Sequence, residues 1–328
     1  MATLLKNGMI QESQSPFASP VLLVKKKSDW RMCVDYRRLN ALTVKNRFPL
    51  PIFDELVDEL FGAKWFTTLD MASGYHQVLV DPDDRFKTAF QTHHGHYEYK
   101  VMPYGVTGGP ATFQHEMNTV LAPVLRLVVV VFIDNILIYS QSYEDHLKHI
   151  SQVFQALQQH KFKVKLSKCV FAQQQLAYLG HVISSSSVST DPKKVTDVTN
   201  WPTPTCVKEV RGFLGLAGYY RKFVKNFGVI SKPLTNLLKK GEMFLWTSVH
   251  EEAFVALKQA LTSAPVLALP NFQKPFVVET NASDKGIRAV LHQENHPIAF
   301  VSRALGPKNQ GLSTYEKECL AILLAVDH

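Results

Sequence analysis

The chain has 328 residues, 46% hydrophobic and 20% charged, which excludes a disordered chain and allows two or more domains with cores of their own. Its formal net charge of +8 suits a polyanionic partner, although many basic proteins bind no nucleic acid. Cys33, Cys169, Cys206 and Cys319 are scattered without a CxxC pair, which argues against a disulfide scaffold or zinc site, and no stretch reaches the ~18 apolar residues of a membrane span.

Residues 1 to about 190 alternate short strands and helices, 191–262 are mainly helical, and the remainder returns to strands before a last helix. The residues Met1-Ala2-Thr3-Leu4-Leu5-Lys6 lack the apolar run of a signal peptide. The first distinctive element is Lys25-Lys26-Lys27-Ser28-Asp29-Trp30-Arg31, a charged tip between two apolar runs. Such a run is usually a solvated face, but a lysine and a planar guanidinium can also clamp a triphosphate.

Trp65-Phe66-Thr67-Thr68-Leu69 reads as a strand ending at Asp70, which could equally be the N-cap of a following helix. Five positions on, Tyr75 fits an ordinary core tyrosine. In Val128-Val129-Val130-Val131-Phe132-Ile133-Asp134-Asn135-Ile136-Leu137-Ile138-Tyr139 a lone acid interrupts a β-branched run. An unpaired buried charge there would cost several kcal/mol, so Asp134 should meet a cation or solvent. The segment reads as a hairpin joined by Asp134-Asn135, either a polar turn or an acid held at a tip. Two acids that each end a hydrophobic strand suit a phosphoryl-transfer site with two divalent cations about 3.5–4 Å apart.

Ser184-Ser185-Ser186-Ser187 reads as a turn after a strand, and Trp201-Pro202-Thr203-Pro204 and the stretch from Ala264-Pro265 to Lys274-Pro275 are candidate boundaries. Residues 207–227 have helical periodicity, with Val210, Phe213, Ala217, Tyr220 and Val224 on one side and Lys208, Arg211, Arg221, Lys222 and Lys225 among the rest. Gly212, Gly215 and Gly218 recur every third residue, each costing about 1 kcal/mol against Ala. Close helix packing or a nucleic-acid backbone would explain them, and the basic flanks favour the second. Residues 276–280, 287–291 and 297–301 read as strands, and Ser313-Thr314-Tyr315-Glu316 as the capping box of a final helix. On that helix Glu318 shares a face with Ile322 and Ala325, an acid suited to the helix start.

Leu69-Asp70-Met71-Ala72-Ser73-Gly74-Tyr75-His76-Gln77 and Phe132-Ile133-Asp134-Asn135-Ile136-Leu137-Ile138-Tyr139-Ser140 resemble the two catalytic motifs of gypsy-type LTR-retrotransposon reverse transcriptases. The resemblance extends through Ser15-Pro16-Phe17-Ala18-Ser19-Pro20-Val21, Arg31-Met32-Cys33-Val34-Asp35-Tyr36-Arg37-Arg38-Leu39-Asn40, Val101-Met102-Pro103-Tyr104-Gly105, Pro110-Ala111-Thr112-Phe113-Gln114, Tyr178-Leu179-Gly180-His181 and Phe213-Leu214-Gly215-Leu216-Ala217-Gly218-Tyr219-Tyr220-Arg221.

The resemblance implies an α+β right-hand polymerase fold followed by a partial ribonuclease H-like α/β domain. Fingers and palm would span 1–190, thumb and connecting helices 191–262, and the nuclease-like part 263–328, the whole being a fragment of a longer polyprotein. The implied activity is RNA-directed DNA synthesis on an RNA or DNA template with primer, using deoxynucleoside triphosphates. Magnesium, or manganese in its place, would be held by Asp70, Met71 and Asp134. Lys26, Arg31, Ala72, Ser73, Gly74, Tyr75 and Tyr104 would bind the nucleotide, Tyr75 excluding a ribose hydroxyl. Gly108-Gly109 is less bulky than the usual pair, which would loosen that pocket.

Leu179, Gly180 and His181 would form the primer grip, and Lys208, Arg211, Gly212, Gly215, Arg221 and Lys222 would line the duplex. Three departures stand out: Asn135 replaces the second catalytic Asp, Asn281 replaces the first nuclease Asp opposite Glu318, and Arg288 stands where a small residue is usual. The polymerase is therefore expected to be impaired and the nuclease part inactive; the alternative is a non-catalytic template-primer binding module. The family setting implies a cytoplasmic virus-like particle with nuclear entry open, admits a homodimer and involves no membrane.

Overall fold

The computed structural model describes residues 1–26, 29–241 and 243–328, with main chain alone for Lys26 and Asp29. Contacts group the chain into two units, Met1–Glu59 with Lys64–Gln173, and Leu60–Ala63 with Gln174–His328.

The first unit holds two sheets. One has the order β1-β6-β5-β2-β3, from β1 (Ile10–Glu12), β2 (Ser19–Lys26), β3 (Asp29–Val34), β5 (Phe90–Thr92) and β6 (Gly95–Tyr99). Antiparallel β2 and β3 place Lys26 across from Asp29 at the end of the charged hairpin, whose tip, Lys27-Ser28, lies outside the described residues. The other sheet has the order β7-β8-β4-β9, from β4 (Trp65–Asp70), β7 (Val129–Phe132), β8 (Asn135–Ser140) and β9 (Val170–Gln173). Val129, Val131, Ile136 and Ile138 alternate inward and pack with Phe113 and Met117 of the Gly109–Val120 helix and Val153 and Leu157 of the Tyr143–Gln159 helix. Val130 and Leu137, which point the other way, are buried as well, so both faces of this sheet are covered. Ser142 caps the second helix, its hydroxyl accepting from the Asp145 N–H.

The second unit begins with β10 (Gln175–Tyr178), β11 (His181–Ser184), β12 (Ser187–Thr190) and β13 (Leu267–Ala268) in one sheet. The serine run is a turn: the Ser184 and Ser187 hydroxyls lie 2.7 Å apart across it. Helices Pro192–Thr199, Val207–Tyr219 and Ser248–Thr262 follow. The periodic stretch 207–227 is not one helix. It ends at Tyr219, passes through a 3-10 turn at Arg221–Phe223 and restarts at Phe227–Ile230 behind Asn226, whose φ is +62°. The buried line still holds, with Val210, Phe213, Ala217, Tyr220 and Val224 all in the core.

The last sheet is the meander β14 (Val277–Ala282), β15 (Gly286–Gln293) and β16 (His296–Ala304), each strand longer than its apolar run because ladder pairing continues through the polar flanks. The Thr314–Val326 helix has the expected capping box between Ser313 and Glu316. Its buried line runs through Lys317, Ala321 and Leu324, while Ile322 is 51% exposed, so the face shared by Glu318 and Ile322 is not the packed one. Among the described residues no helix is long and apolar enough to cross a membrane.

Candidate active site

β4 and β8 run antiparallel with Asp70 directly across from Asn135, and β7 pairs Phe132 with Asn135. The hairpin turn is therefore Ile133-Asp134, one residue earlier than the Asp134-Asn135 turn expected from sequence, and Asn135 is the first residue of β8. Asp70 is the last residue of β4 rather than a helix cap; the 3-10 turn that follows is entered through Ser73. Both acids thus sit at the same end of the sheet.

Ile133 has a φ of +53°, a conformation that costs a β-branched residue of order 1–3 kcal/mol. Buried Gln114 braces it: its Oε1 accepts from the Ile133 N–H at 2.6 Å. Its Nε2 donates to the Val131 carbonyl at 3.2 Å and to Asn118 Oδ1 at 2.8 Å. Asn135 Nδ2 donates to Asp134 Oδ1 at 3.1 Å, as a neutral amide allows and a second ionised carboxylate of the same shape would not. Lys168 Nζ lies 3.0 Å from Asp70 Oδ2. Neither Gln114 nor Lys168 was singled out from sequence: Gln114 sat inside a motif without a role, and Lys168 is one lysine of several in 161–168.

The residues expected on the nucleotide side include an aromatic cluster in the same unit as these acids. Tyr75 and Tyr104 stack at 5.1 Å with planes 20° apart, and the Arg31 guanidinium lies 5.2 Å from the Tyr104 ring centroid. Burial raises the pKa of the Tyr104 phenol, and Asp134 and Asp70 both push it further up while Arg31 and Lys168 oppose them. One phenol therefore feels both carboxylates and both cations. Lys26 is placed in β2, but its side chain is outside the described residues.

The Met71 side chain is in the core, which leaves its carbonyl as the atom it can offer a cation. Ala72 N donates to the Lys163 carbonyl, Ser73 has a φ of +53°, and a Cβ on buried Gly74 would stand 3.0 Å from the Phe113 ring. Any larger residue there would require the Phe113 ring to give way by a few tenths of an ångström. At Gly109 a Cβ would stand 3.3 Å from the Tyr75 ring, so that ring packs closely on the bare backbone there, whereas at Gly108 it would meet only Thr112 Oγ1 at 4.0 Å.

Within the second unit, Leu179-Gly180 is the two-residue turn between β10 and β11, with φ of +48° and +80°. Both positive values match the right-handed twist of a tight hairpin. Tyr219 and Tyr220 donate their hydroxyls to the Leu179 and Gly180 carbonyls, each at 2.8 Å. His181, 1% exposed, packs among Tyr219, Tyr220 and Phe223. On the Val207–Tyr219 helix, Lys208, Arg211, Gly212 and Gly215 are exposed, as is Arg221 beyond it, and the Lys222 ammonium lies over Phe223. A Cβ at Gly212 would make only an ordinary 3.7 Å contact with Trp201, and at Gly215 or Gly218 it would meet nothing within 4 Å. Packing inside the chain therefore does not account for these glycines.

Asn281 lies inside β14 across from Arg288 of β15. Glu318 Oε1 accepts from the Ala282 N–H at 3.1 Å. Among the described residues no group of three or more His, Cys, Asp or Glu is arranged to hold a metal ion.

Residues 23–183 match the family model described as reverse transcriptase (RNA-dependent DNA polymerase), and 246–328 match the RNase H-like domain found in reverse transcriptase. Among similar proteins of Drosophila melanogaster, the retrovirus-related Pol polyprotein from transposon 297 is 43% identical over 98% of this chain, and that from transposon gypsy 37% identical over 98%. The chain spans about a third of their length, 31% and 33%. Two solved structures of a foamy viral protease-reverse transcriptase are similar at 26% identity. The one in complex with RNA/DNA hybrid has a TM-score of 0.87, covering 98% of this chain and 44% of that one. The one with double-stranded DNA has a TM-score of 0.88, covering 99% and 58%.

Proposed function

Because the chain belongs to the gypsy-type reverse transcriptases of retrotransposon Pol polyproteins, with the right-hand polymerase fold followed by an RNase H-like part, we propose that it extends a primer on an RNA or DNA template from deoxynucleoside triphosphates, at a rate limited by Asn135. The observation that carries this reading is the strand register that sets Asp70 across from Asn135, next to Asp134 at the same end of the sheet, with the Arg31 guanidinium over Tyr104 in the same unit. We assign 1–190 to fingers and palm, 191–262 to thumb and connecting helices, and 263–328 to the nuclease-like part.

The donor set fits one divalent ion readily. Asp70 and Asp134 are the carboxylates, Met71 follows Asp70 in the chain and would offer its carbonyl, and Asp70 engages the Lys168 ammonium. Bound magnesium would supply Lewis acidity at the α-phosphate and charge neutralisation for the leaving pyrophosphate. Replacing a carboxylate by the Asn135 amide removes the negative charge that a second, closely spaced cation needs.

The primer 3′ hydroxyl attacks the α-phosphorus in line as the bond to pyrophosphate breaks. The hairpin holds Asp134 beside that reaction, and Arg31 with Lys26 receives the triphosphate oxygens. Tyr75 floors the sugar, where its bulk disfavours a ribose 2′ hydroxyl. Gly180 and its neighbours hold the primer end, and exposed Lys208, Arg211 and Arg221, with half-buried Lys222, follow the duplex backbone. Positioning and electrostatics account for most of the acceleration in such a site. Asn281 replaces the nuclease carboxylate, so no RNA cleavage is expected.

A second reading, a template-primer binder without turnover, is favoured by Asn135 itself. Primer extension with magnesium by the parent chain and by Asn135→Asp separates the two. We expect reversion to raise extension about 10–100-fold, the usual size of a lost metal-tuning partner. A reverted chain that binds primer-template yet extends no faster would remove Asn135 as the limiting defect and leave the binding module.

A further inference from the structure

The meander β14-β15-β16 has two unlike faces. Ala282, Ile287 and Val301 pack with Ala321 and Leu324 of the last helix. The other face is set by the cross-strand register, which lines up Asn281, Arg288 and Ser302 in one row and Glu279, Val290 and Phe300 in the next. Residues 225–228 lie over part of it: Gly228 N donates to Ser302 Oγ at 2.9 Å, and Arg288 Nη1 donates to Asn226 Oδ1 at 3.3 Å. Between them is a crevice of about 300 Å³.

Two cations line that crevice, and among the described residues neither forms an ion pair. The Arg288 guanidinium is steadied by a neutral amide, which leaves most of its five N–H donors free. The Lys225 ammonium lies 5.4 Å from the centroid of Phe300, a ring that is 6% exposed and holds the charge without neutralising it. Asn281, across from Arg288, adds an amide where a carboxylate would have added negative charge. Glu279 is the one carboxylate lining the crevice, and its Oε1 lies 3.1 Å from His292 Nε2. Glu318 is engaged with the Ala282 N–H and is absent from the lining. A divalent cation would meet two like charges here. An oxyanion would meet a forked guanidinium, an ammonium and an amide, the donor set that phosphate oxygens select.

We propose that this crevice is a phosphate-binding subsite that grips one backbone phosphodiester of a bound nucleic acid, with Arg288 and Lys225 as its cationic ligands. An amide at 281, together with arginine at 288 and lysine at 225, leaves two cations against the single carboxylate of Glu279 along the lining. The proposal rests on the nucleic-acid reading given above and adds a contact remote in sequence from the polymerase motifs.

The test is fluorescence anisotropy of a labelled primer-template with the full chain, titrated across salt concentrations. For Lys225→Gln/Arg288→Gln we expect weaker binding at low salt and a log–log salt slope shallower by about 1, the signature of one lost phosphate contact. Arg288→Lys should keep the parent slope. A folded double variant with the parent's affinity and slope overturns the subsite. If that variant loses its circular dichroism signal, Arg288→Gln compared with Arg288→Lys decides on the same criterion: equal slopes overturn it, and a shallower slope for Gln alone supports it. A parent chain that does not bind primer-template at all overturns the nucleic-acid reading, and this proposal with it.

Discussion

Gln114 uses both ends of its side-chain amide on the Asp134 hairpin, accepting from Ile133 N and donating to Val131 O. The strained Ile133 and the exposed acid beside it depend on those bonds. Gln114→Leu keeps the volume but leaves a buried N–H without its acceptor, so urea unfolding should show a loss of about 1–3 kcal/mol. Primer extension measured in the Asn135→Asp background should fall as well, by roughly 10-fold; unchanged extension would mean that the hairpin holds its shape unaided. Asp70, Asp134, Tyr75 and Tyr104 were legible as candidates because each sits in a distinctive local string. Gln114 and Lys168 were not, since each acts on a partner 19 or 98 residues away.

The Val207–Tyr219 helix carries two glycines, Gly215 and Gly218, that face nothing within 4 Å. Gly215→Ala and Gly218→Ala should each stabilise the fold by up to about 1 kcal/mol in thermal melts. If a nucleic-acid backbone approaches that face, the same variants should bind primer-template more weakly, and equal binding would leave the glycines without that role.

A different constraint links β4, β8 and the Tyr143–Gln159 helix. Fully buried His146 has Thr67 Oγ1 and Ser140 Oγ each 2.8 Å from a ring nitrogen, and Ser140 Oγ is also 2.8 Å from His149 Nδ1. Thr67 Oγ1 further accepts from Ala172 N of β9. Burial, then the charge of His149, lowers the His146 pKa from its ordinary 6.5. The unfolded chain therefore binds the extra proton more readily, and stability is complete above pH 6.5 and falls as the pH drops below it. Urea midpoints from pH 7.5 to 5 should decline, and His146→Gln should flatten that decline while lowering the midpoint at neutral pH. The periodicity of 207–227 disclosed which side chains are buried but not the break after Tyr219, because the same residues stay inward through the 3-10 turn.

For the whole molecule, the +8 charge acquires meaning from its placement: Lys208, Arg211 and Arg221 are exposed along one segment of the second unit. Primer-template affinity should fall steeply with salt, with a log–log slope of about −4 or steeper if roughly four or more phosphates are neutralised. A flat profile would count against a backbone-tracking surface. The strand and helix zones were readable from periodicity, since alternation and 3.6-residue spacing are local properties, whereas the α+β right-hand class followed from the family resemblance. The grouping of 174–190 with the helical segment and the last sheet was not, because it depends on contacts made across long stretches of chain.

What the linear order of residues decided is chemical: which strings offer groups suited to a metal, a triphosphate or a sugar, and that amides stand at 135 and 281, where the family resemblance leads one to expect acids. Those expectations rest on side chains and their immediate neighbours. What folding decided is which of them meet. The turn at Ile133-Asp134, the ion pair of Lys168 with Asp70, the Gln114 brace and the opposition of Asn281 to Arg288 all arise from strand register and helix packing. Register is set by the burial of whole sheet faces at once, a collective constraint that no short window of sequence contains.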